Sequence, residues 1–517
     1  MLAIVRSAAV VGIEAYEVAV EVDVAPGLPQ FTIVGLAAGA VKESRERVCS
    51  ALVNAGFVRA PRRTTVNLAP ADIRKEGTAF DLPIALGLLV ATHQLDPRCV
   101  EGIVVIGELA LDGSVRPVRG VLSIARRLAT VREDVTLIVP PANVSEAQLV
   151  SGVRLSAPAT LAELVTRLRL RELAPPPEAA PARATRVDGP DLRDVVGQEA
   201  AKRALEIAAA GGHGLAFVGP PGSGKTMLAR CVPGLLPTLS ELEALEVIAI
   251  HSVAGALPAG VLPPPVRPFR APHHTISTAG LVGGGSAPRP GEASLAHLGV
   301  LFLDEMLEFP RHTLDALRQP LEDGHVIIAR AAGSVRYPAR FTLIGAMNPC
   351  PCGRAGDPTG RCTCSAADIL RYRARLSGPL ADRIDLHVVV GAVPLRLLGG
   401  PAGRESSAAV RARVELARGR QRSRYCAFGP SMCNGRVPGR WLQMETLIDG
   451  EARELLTSAA ERLGLSARGY HRVLRVARTI ADLEAERAIR ARCVAEALRF
   501  RVPSTDPELI VRGTSTA

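Results

Sequence analysis

Gly219-Pro220-Pro221-Gly222-Ser223-Gly224-Lys225-Thr226 is the stretch on which the fold turns. An apolar run, Leu215 to Val218, precedes it and reads as a buried strand, and Lys225 to Cys231 reads as the helix that follows. Strand, glycine-rich loop and helix in that order make a phosphate cradle. Glycine lets the main chain curl close to an anion, and the helix N-terminus adds positive potential. Lys225 can reach the β- and γ-phosphates, and the Thr226 hydroxyl can ligate Mg²⁺. The competing reading is a chance loop, because the chain holds 48 Gly and 40 Pro. All eight positions fit in the expected context, so nucleotide phosphate with Mg²⁺ is expected here; a kinase, a GTPase and a motor could each use such a cradle.

Two further apolar runs end in polar groups. Gly299-Val300-Leu301-Phe302-Leu303-Asp304-Glu305 is four apolar residues running into two carboxylates. A buried strand that ends in acids carries them at its C-terminal edge, where ligands gather in parallel α/β sheets. Asp304 is expected to hold Mg²⁺ through water and Glu305 to polarise the attacking water; a merely solvated strand end is the alternative. Phe341-Thr342-Leu343-Ile344-Gly345-Ala346-Met347-Asn348 reads as a third buried strand, ending in an amide. A neutral group there can orient water against the γ-phosphate without adding charge, whereas an isolated Asn at a strand end is more often a turn residue.

The bulk properties narrow the class. At 517 residues the chain exceeds a single core, so two or three domains are expected. No membrane span is evident: the tempting run, Leu82 to Thr92, is too short and contains Pro83. Met1 to Val24 carries Glu14, Glu17, Glu21 and Asp23, which fits alternating strands better than a secretory signal. A cytosolic protein is expected, in which ten cysteines serve as thiols or metal ligands rather than disulfides. The formal charge of +11 points to an acidic partner such as nucleic acid. That inference is discounted because lysine stands only at 42, 75, 202 and 225, and so lopsided a preference for Arg also follows from genome composition.

Residues 1–172 read as a mixed α/β unit without a phosphate loop. Val18 to Val24 alternates like a strand, Lys42 to Ala55 has helical spacing, and β-type runs lie at Gly102 to Ile106 and Val135 to Val139. Arg74-Lys75-Glu76-Gly77-Thr78-Ala79-Phe80-Asp81, followed by Gly107-Glu108-Leu109 to Gly120, resembles the Lon-type protease fold (ribosomal-protein-S5-type) carried by magnesium-chelatase-like ATPases. In active Lon proteases a serine and a lysine lie two residues after these two glycines. Ala79 and Leu122 stand there, and neither side chain is a nucleophile or a base, so a scaffold or docking role is expected in place of proteolysis. Residues 173–190, rich in Pro and Ala, read as an extended linker.

The second unit, 191–395, resembles an AAA+ ATPase core. Val195 to Glu199 opens a helix through Ala210 that in such ATPases packs near the adenine. Asn348 matches the sensor-1 position. Phe269 to Glu292 resembles the helix-2 insert; His273-His274 within it invites a metal reading, but adjacent side chains diverge and a structural role is expected. Ser377 to Leu386 resembles the arginine-finger segment of magnesium chelatases and MCM replicative helicases, which implies that Arg383 reaches a neighbouring subunit's nucleotide in a ring. A salt bridge to Asp382 or Asp385 is the bland alternative. Arg468, opening a helix through Leu483, resembles sensor 2, with Arg472 as the fallback. Gly324 to Arg340 reads as a hairpin; the MCM counterpart projects a basic residue into the central channel, which implies a backbone grip on DNA by Arg330 and Arg336, against the alternative of a solvated flank.

Cys350-Pro351-Cys352 and Cys362-Thr363-Cys364 are separated by nine residues. Two thiolate pairs on a short loop suit tetrahedral, structural Zn²⁺, although CxC departs from the commoner CxxC spacing. Residues 396–503 read as a helical lid, whose Arg418, Arg420, Arg422 and Arg424 either touch nucleic acid or cover an acidic neighbour. Residues 504–517 read as a disordered tail.

These motifs, in this order behind a Lon-like domain, identify the chain as a member of the ComM/YifB family of magnesium-chelatase-like AAA+ ATPases. The resemblance implies a hexameric ATP-driven motor on single-stranded or branched DNA, associated with branch migration in natural transformation. A chelatase-type subunit and a protein-remodelling ATPase are the other classes consistent with the ATPase core.

Overall fold

The computed structural model describes residues 1–517 except 37–38, 59–60, 74, 76, 132–133, 179–188, 258–264, 286–287, 331–332, 356–360, 394–404, 430–431, 440, 443–446 and 502–517. Most of the linker, the start of the helical region and the tail therefore lie outside the described residues, as do Arg74 and Glu76.

The N-terminal unit is built on alternation. Leu2–Val11 and Glu14–Ala25 pair antiparallel, and the inward row Val18, Val20, Val22 and Val24 is buried while Glu17 and Asp23 face out. Arg63–Ala69 and Gln30–Val34 complete a four-stranded sheet. Helix Asp81–Ala91, buried along its whole length, packs on its inner face. A second, parallel sheet of Ile103–Val105, Thr136–Ile138 and Arg154–Ser156 lies beside it.

The position expected to lack a catalytic lysine has another use. Leu122, fully buried, packs against Ile248 and Ala249 of the core helix Glu241–Ala254. Gly120 N donates to Ser252 Oγ at 3.0 Å, and Ser252 Oγ donates to the buried Glu146 carboxylate at 2.5 Å. Apolar contact and a satisfied polar network thus join the two units at this seam.

The core is a five-stranded parallel sheet in the order Phe269–Arg270, Val300–Leu303, Thr342–Met347, Leu215–Val218, Leu386–Val389. Its central strands are almost wholly apolar and buried on both faces, as parallel strands covered by helices must be. Helices Ser407–Arg424, Gly450–Arg462, Ala467–Leu483 and Ala491–Arg499 form the C-terminal helical region. It is tied to the core through His213, whose ring bonds Asp385 and Thr479, each at 2.8 Å. The arginine run of the first of these helices turns inward: Arg424 pairs with Asp482 at 2.6 Å, Arg420 donates to the Asp482 carbonyl at 2.7 Å, and Arg418 donates to Ala209 O at 2.9 Å. Covering an acidic neighbour is the outcome for Arg424, while Arg420 meets that residue's main-chain carbonyl. Among the described residues no helix is long and apolar enough to cross a membrane.

Candidate active site

Sheet order brings the chemistry together. The strand ending in Asp304 and the strand ending before Asn348 are neighbours, and the phosphate-loop strand is the next one along. All three run parallel, so the loop, the acids and the amide converge at one edge. Gly222 and Gly224 take left-handed backbone, φ 77° and 90°, where a side chain is strained, and helix Lys225–Leu235 starts immediately after.

Thr226 Oγ1 donates to Asp304 Oδ2 at 2.9 Å. Two hard oxygen donors meeting at this distance form a donor set suited to Mg²⁺. Lys225 Nζ donates to Gly219 O at 2.7 Å and Pro220 O at 2.8 Å, and reaches Asn348 Oδ1 at 3.4 Å. Burial holds its ammonium below the usual lysine range, partly offset by the charges of Asp304 and Glu305. The buried Ser223 hydroxyl has no hydrogen-bond partner among the described residues, which leaves a donor suited to a phosphate oxygen. The residues present therefore fit a magnesium-bound nucleoside triphosphate.

Glu305 adopts left-handed backbone, φ 48° and ψ 46°, a conformation costing a non-glycine residue roughly 1 kcal/mol or more. Its half-exposed carboxylate faces His274, whose Nδ1 lies 3.6 Å from Glu305 Oε2. His274 is seated between His273, at 4.1 Å between ring centroids, and the edge of Phe309, at 6.3 Å. His274, expected to be structural, thus also lies beside the Glu305 carboxylate. The local sequence carries no sign of this. It arises because the edge strand Phe269–Arg270, which leads to His274, pairs with Val300–Leu303.

Arg383 is not at the phosphate loop of its own chain. Among the described residues its guanidinium bonds Glu322 and, at 2.7 Å, the Pro379 carbonyl. The alternative of a bridge to Asp382 or Asp385 is corrected: Asp385 pairs with His213 and faces Arg472 at 3.8 Å. Arg383 holds the Glu322 carboxyl below its usual range, with Arg468 and Arg318 contributing, so the exposed Arg468 belongs to the same group. Arg472 is buried in that Asp385 contact, which removes it as a substitute for Arg468.

The four cysteine sulfurs lie within 4.8 Å of one another, with Cys350–Cys352 at 3.4 Å, Cys350–Cys362 at 3.8 Å and Cys352–Cys362 at 3.6 Å. Thiolates bound tetrahedrally at about 2.3 Å stand about 3.8 Å apart, so the set fits a closed zinc-type shell. Backbone N–H groups of Thr363 and Arg354 draw the Cys352 thiol down to about 6, whereas the neighbouring thiols of Cys350 and Cys352 push Cys362 and Cys364 up. The loop also touches the nucleotide site: a Cβ on Gly353 would lie 2.7 Å from Pro221 Cδ and 3.9 Å from Asn348 Cγ.

The hairpin is Val326 with its neighbours in His325–Arg330 and Gly333–Pro338, paired antiparallel from His325↔Pro338 to Arg330↔Gly333. Arg330 is exposed at its end, and Arg336 lies 3.2 Å from His325 Nδ1.

Comparison with known proteins agrees with this geometry. Residues 191–397 match the family described as magnesium chelatase, subunit ChlI. Residues 20–143 match subunit ChlI of Mg-chelatase, and residues 404–501 match its C-terminal family. The chain is 45% identical over 506 residues to competence protein ComM of Haemophilus influenzae, covering 97% of each chain. It is 43% identical over 505 residues to YifB of Escherichia coli, again covering 97% of each. The 38 kDa magnesium-chelatase subunit of Rhodobacter capsulatus is 31% identical over 172 residues, 30% of this chain and 49% of that one. The chain belongs to the ComM/YifB family of magnesium-chelatase-like AAA+ ATPases.

Proposed function

We propose that this chain is an ATP-driven motor on DNA, working as a ring, in which turnover moves branched or single-stranded DNA through a central channel. The observation that carries the reading is the hairpin: it rises between the acidic strand and the Asn348 strand and ends in the exposed Arg330. A guanidinium at such a position grips phosphate without regard to sequence. The formal charge of +11 and the name of the competence relative support the same direction.

In the reaction, bound Mg²⁺ would neutralise charge on the β- and γ-phosphates. Thr226 and Asp304 would hold that ion, and Lys225, Ser223 and the loop N–H groups would bind the phosphates. Glu305 accepts a proton from the attacking water, and Asn348 orients that water. Arg383 and Arg468, gathered at Glu322, would serve the neighbouring subunit's site. The test is ATP-dependent dissociation of a fluorescently labelled four-way DNA junction. Wild type is expected to release arms with ATP and not with a non-hydrolysable analogue; a junction left intact under both conditions would refute the motor.

The four cysteines are proposed to hold Zn²⁺, bracing the Gly353–Pro221 contact. Metal analysis is expected to return one zinc per chain. Removal with a thiol-competitive chelator, or Cys362→Ser, is expected to lower the melting temperature, at about 2–4 °C per kcal/mol lost for a domain of this size. Because the loop packs on Pro221, the same treatment is expected to raise the KM for ATP. Metal-free protein with unchanged melting and KM would show the cluster to be idle.

A further inference from the structure

A second concave site lies at the other end of the core sheet. A cleft of about 270 Å³ opens between Leu298-Gly299 and Thr342, where two central strands begin, and the C-terminal helical region. Strands Val300–Leu303 and Thr342–Met347 separate it from Asp304 and Asn348, a span of roughly 13–20 Å at 3.3 Å per residue. It is therefore distinct from the nucleotide site.

Five arginines line it: Arg267 and Arg340 from the core, Arg418, Arg422 and Arg436 from the helical region. Carboxylates answer two of them. Arg267 lies 3.5 Å from Glu243, and Arg340 pairs with Glu246 at 2.8 Å. Arg418 donates to Ala209 O at 2.9 Å and also meets the Cys433 thiol, and Arg436 donates to Phe341 O at 3.2 Å while Cys433 and Glu243 offset part of its charge. Arg422, exposed at the rim, forms no hydrogen bond or ion pair among the described residues. Carbonyls satisfy N–H groups but cancel no charge, so the cleft gathers five guanidiniums against the carboxylates of Glu243 and Glu246, an excess of positive charge. Their mutual effect is visible on a neighbour: burial draws Arg267 down to about 10, with Arg418 and Arg436 adding to the fall against the opposing pull of Glu243.

We propose that this cleft binds a small inorganic phosphate anion, of pyrophosphate size, that bridges the core and the C-terminal helices. Planar guanidinium forks match tetrahedral oxyanions bidentately, and several converging from different segments select a multiply charged one. The bound anion offsets the excess positive charge at the joint where the helical region meets the sheet.

The test is calorimetric titration of pyrophosphate into the full chain carrying Lys225→Ala, which disables the phosphate loop. Saturable binding is expected, weakened about tenfold or more when Arg422→Gln is added and again with Arg436→Gln, since each removes a charge-assisted hydrogen bond. Arg422→Gln alters a rim residue, and an unchanged thermal melt without pyrophosphate checks that the fold is kept. Absence of saturable binding overturns the proposal, as does binding that both arginine substitutions leave unchanged. Because Lys225→Ala is present throughout, either result is independent of ATP hydrolysis and of DNA.

Discussion

Arg383→Ala is expected to lower steady-state ATP turnover about 10³-fold or more while leaving nucleotide affinity near the wild-type value, the signature of a cation supplied to the transition state by another subunit. The geometry behind this is specific. Within one chain Arg383 is turned toward Glu322 and Pro379, and only 13% of its side chain is exposed. Its own Lys225 is engaged with Gly219, Pro220 and Asn348. In the proposed ring this arginine would leave Glu322 for a neighbour's phosphates. Mixing Arg383→Ala protein with Lys225→Ala protein is therefore expected to restore part of the turnover, because each supplies what the other lacks. Turnover that survives Arg383→Ala, or mixtures with no recovery, would assign the arginine to the Glu322 bridge alone.

Glu305→Gln separates binding from chemistry. The substitution keeps shape and removes the proton acceptor, so hydrolysis is expected to fall about 10²- to 10⁴-fold with binding retained. Lys225→Ala should do the reverse, weakening binding about tenfold or more through loss of a charge-assisted contact. Equilibrium binding of a fluorescent ATP analogue, set beside single-turnover hydrolysis, distinguishes the two. Normal hydrolysis by Glu305→Gln would remove the water-activating role. His274, 3.6 Å from this carboxylate, offers a graded companion: His274→Ala is expected to reduce turnover less than Glu305→Gln does.

The parts of the site legible in sequence are those written as strand ends. Leu215 to Val218, Val300 to Leu303 and Thr342 to Met347 are apolar runs closed by a glycine loop, an acid pair and an amide, and short buried strands follow from that pattern alone. The cysteine pairs are legible for the same reason, since ligand spacing is local. What escapes is any contact set by strand order. His274 meets Glu305 through a pairing between residues 31 apart in sequence, Phe269 with Val300, and Arg383 meets Glu322, rather than Asp382 or Asp385, on the short helix Arg318–Asp323. The arginine run from Arg418 to Arg424 misleads in another way: helical charge does not declare its face, and Asp482, buried and distant in sequence, decides it. Leu122 shows the converse case: the resemblance sets it where active Lon proteases carry a lysine, but its packing against Ile248 and Ala249 needs the fold.

The measurement that tests the central claim most directly is the ATPase rate with and without single-stranded, duplex and branched DNA, on wild type and on Arg330→Ala, at fixed salt because phosphate contacts are salt-dependent. Wild type should be stimulated by DNA, most by the branched form, and Arg330→Ala should lose that stimulation while keeping the DNA-free rate. A rate indifferent to every DNA would contradict the motor and leave an ATPase whose substrate is protein or metal complex.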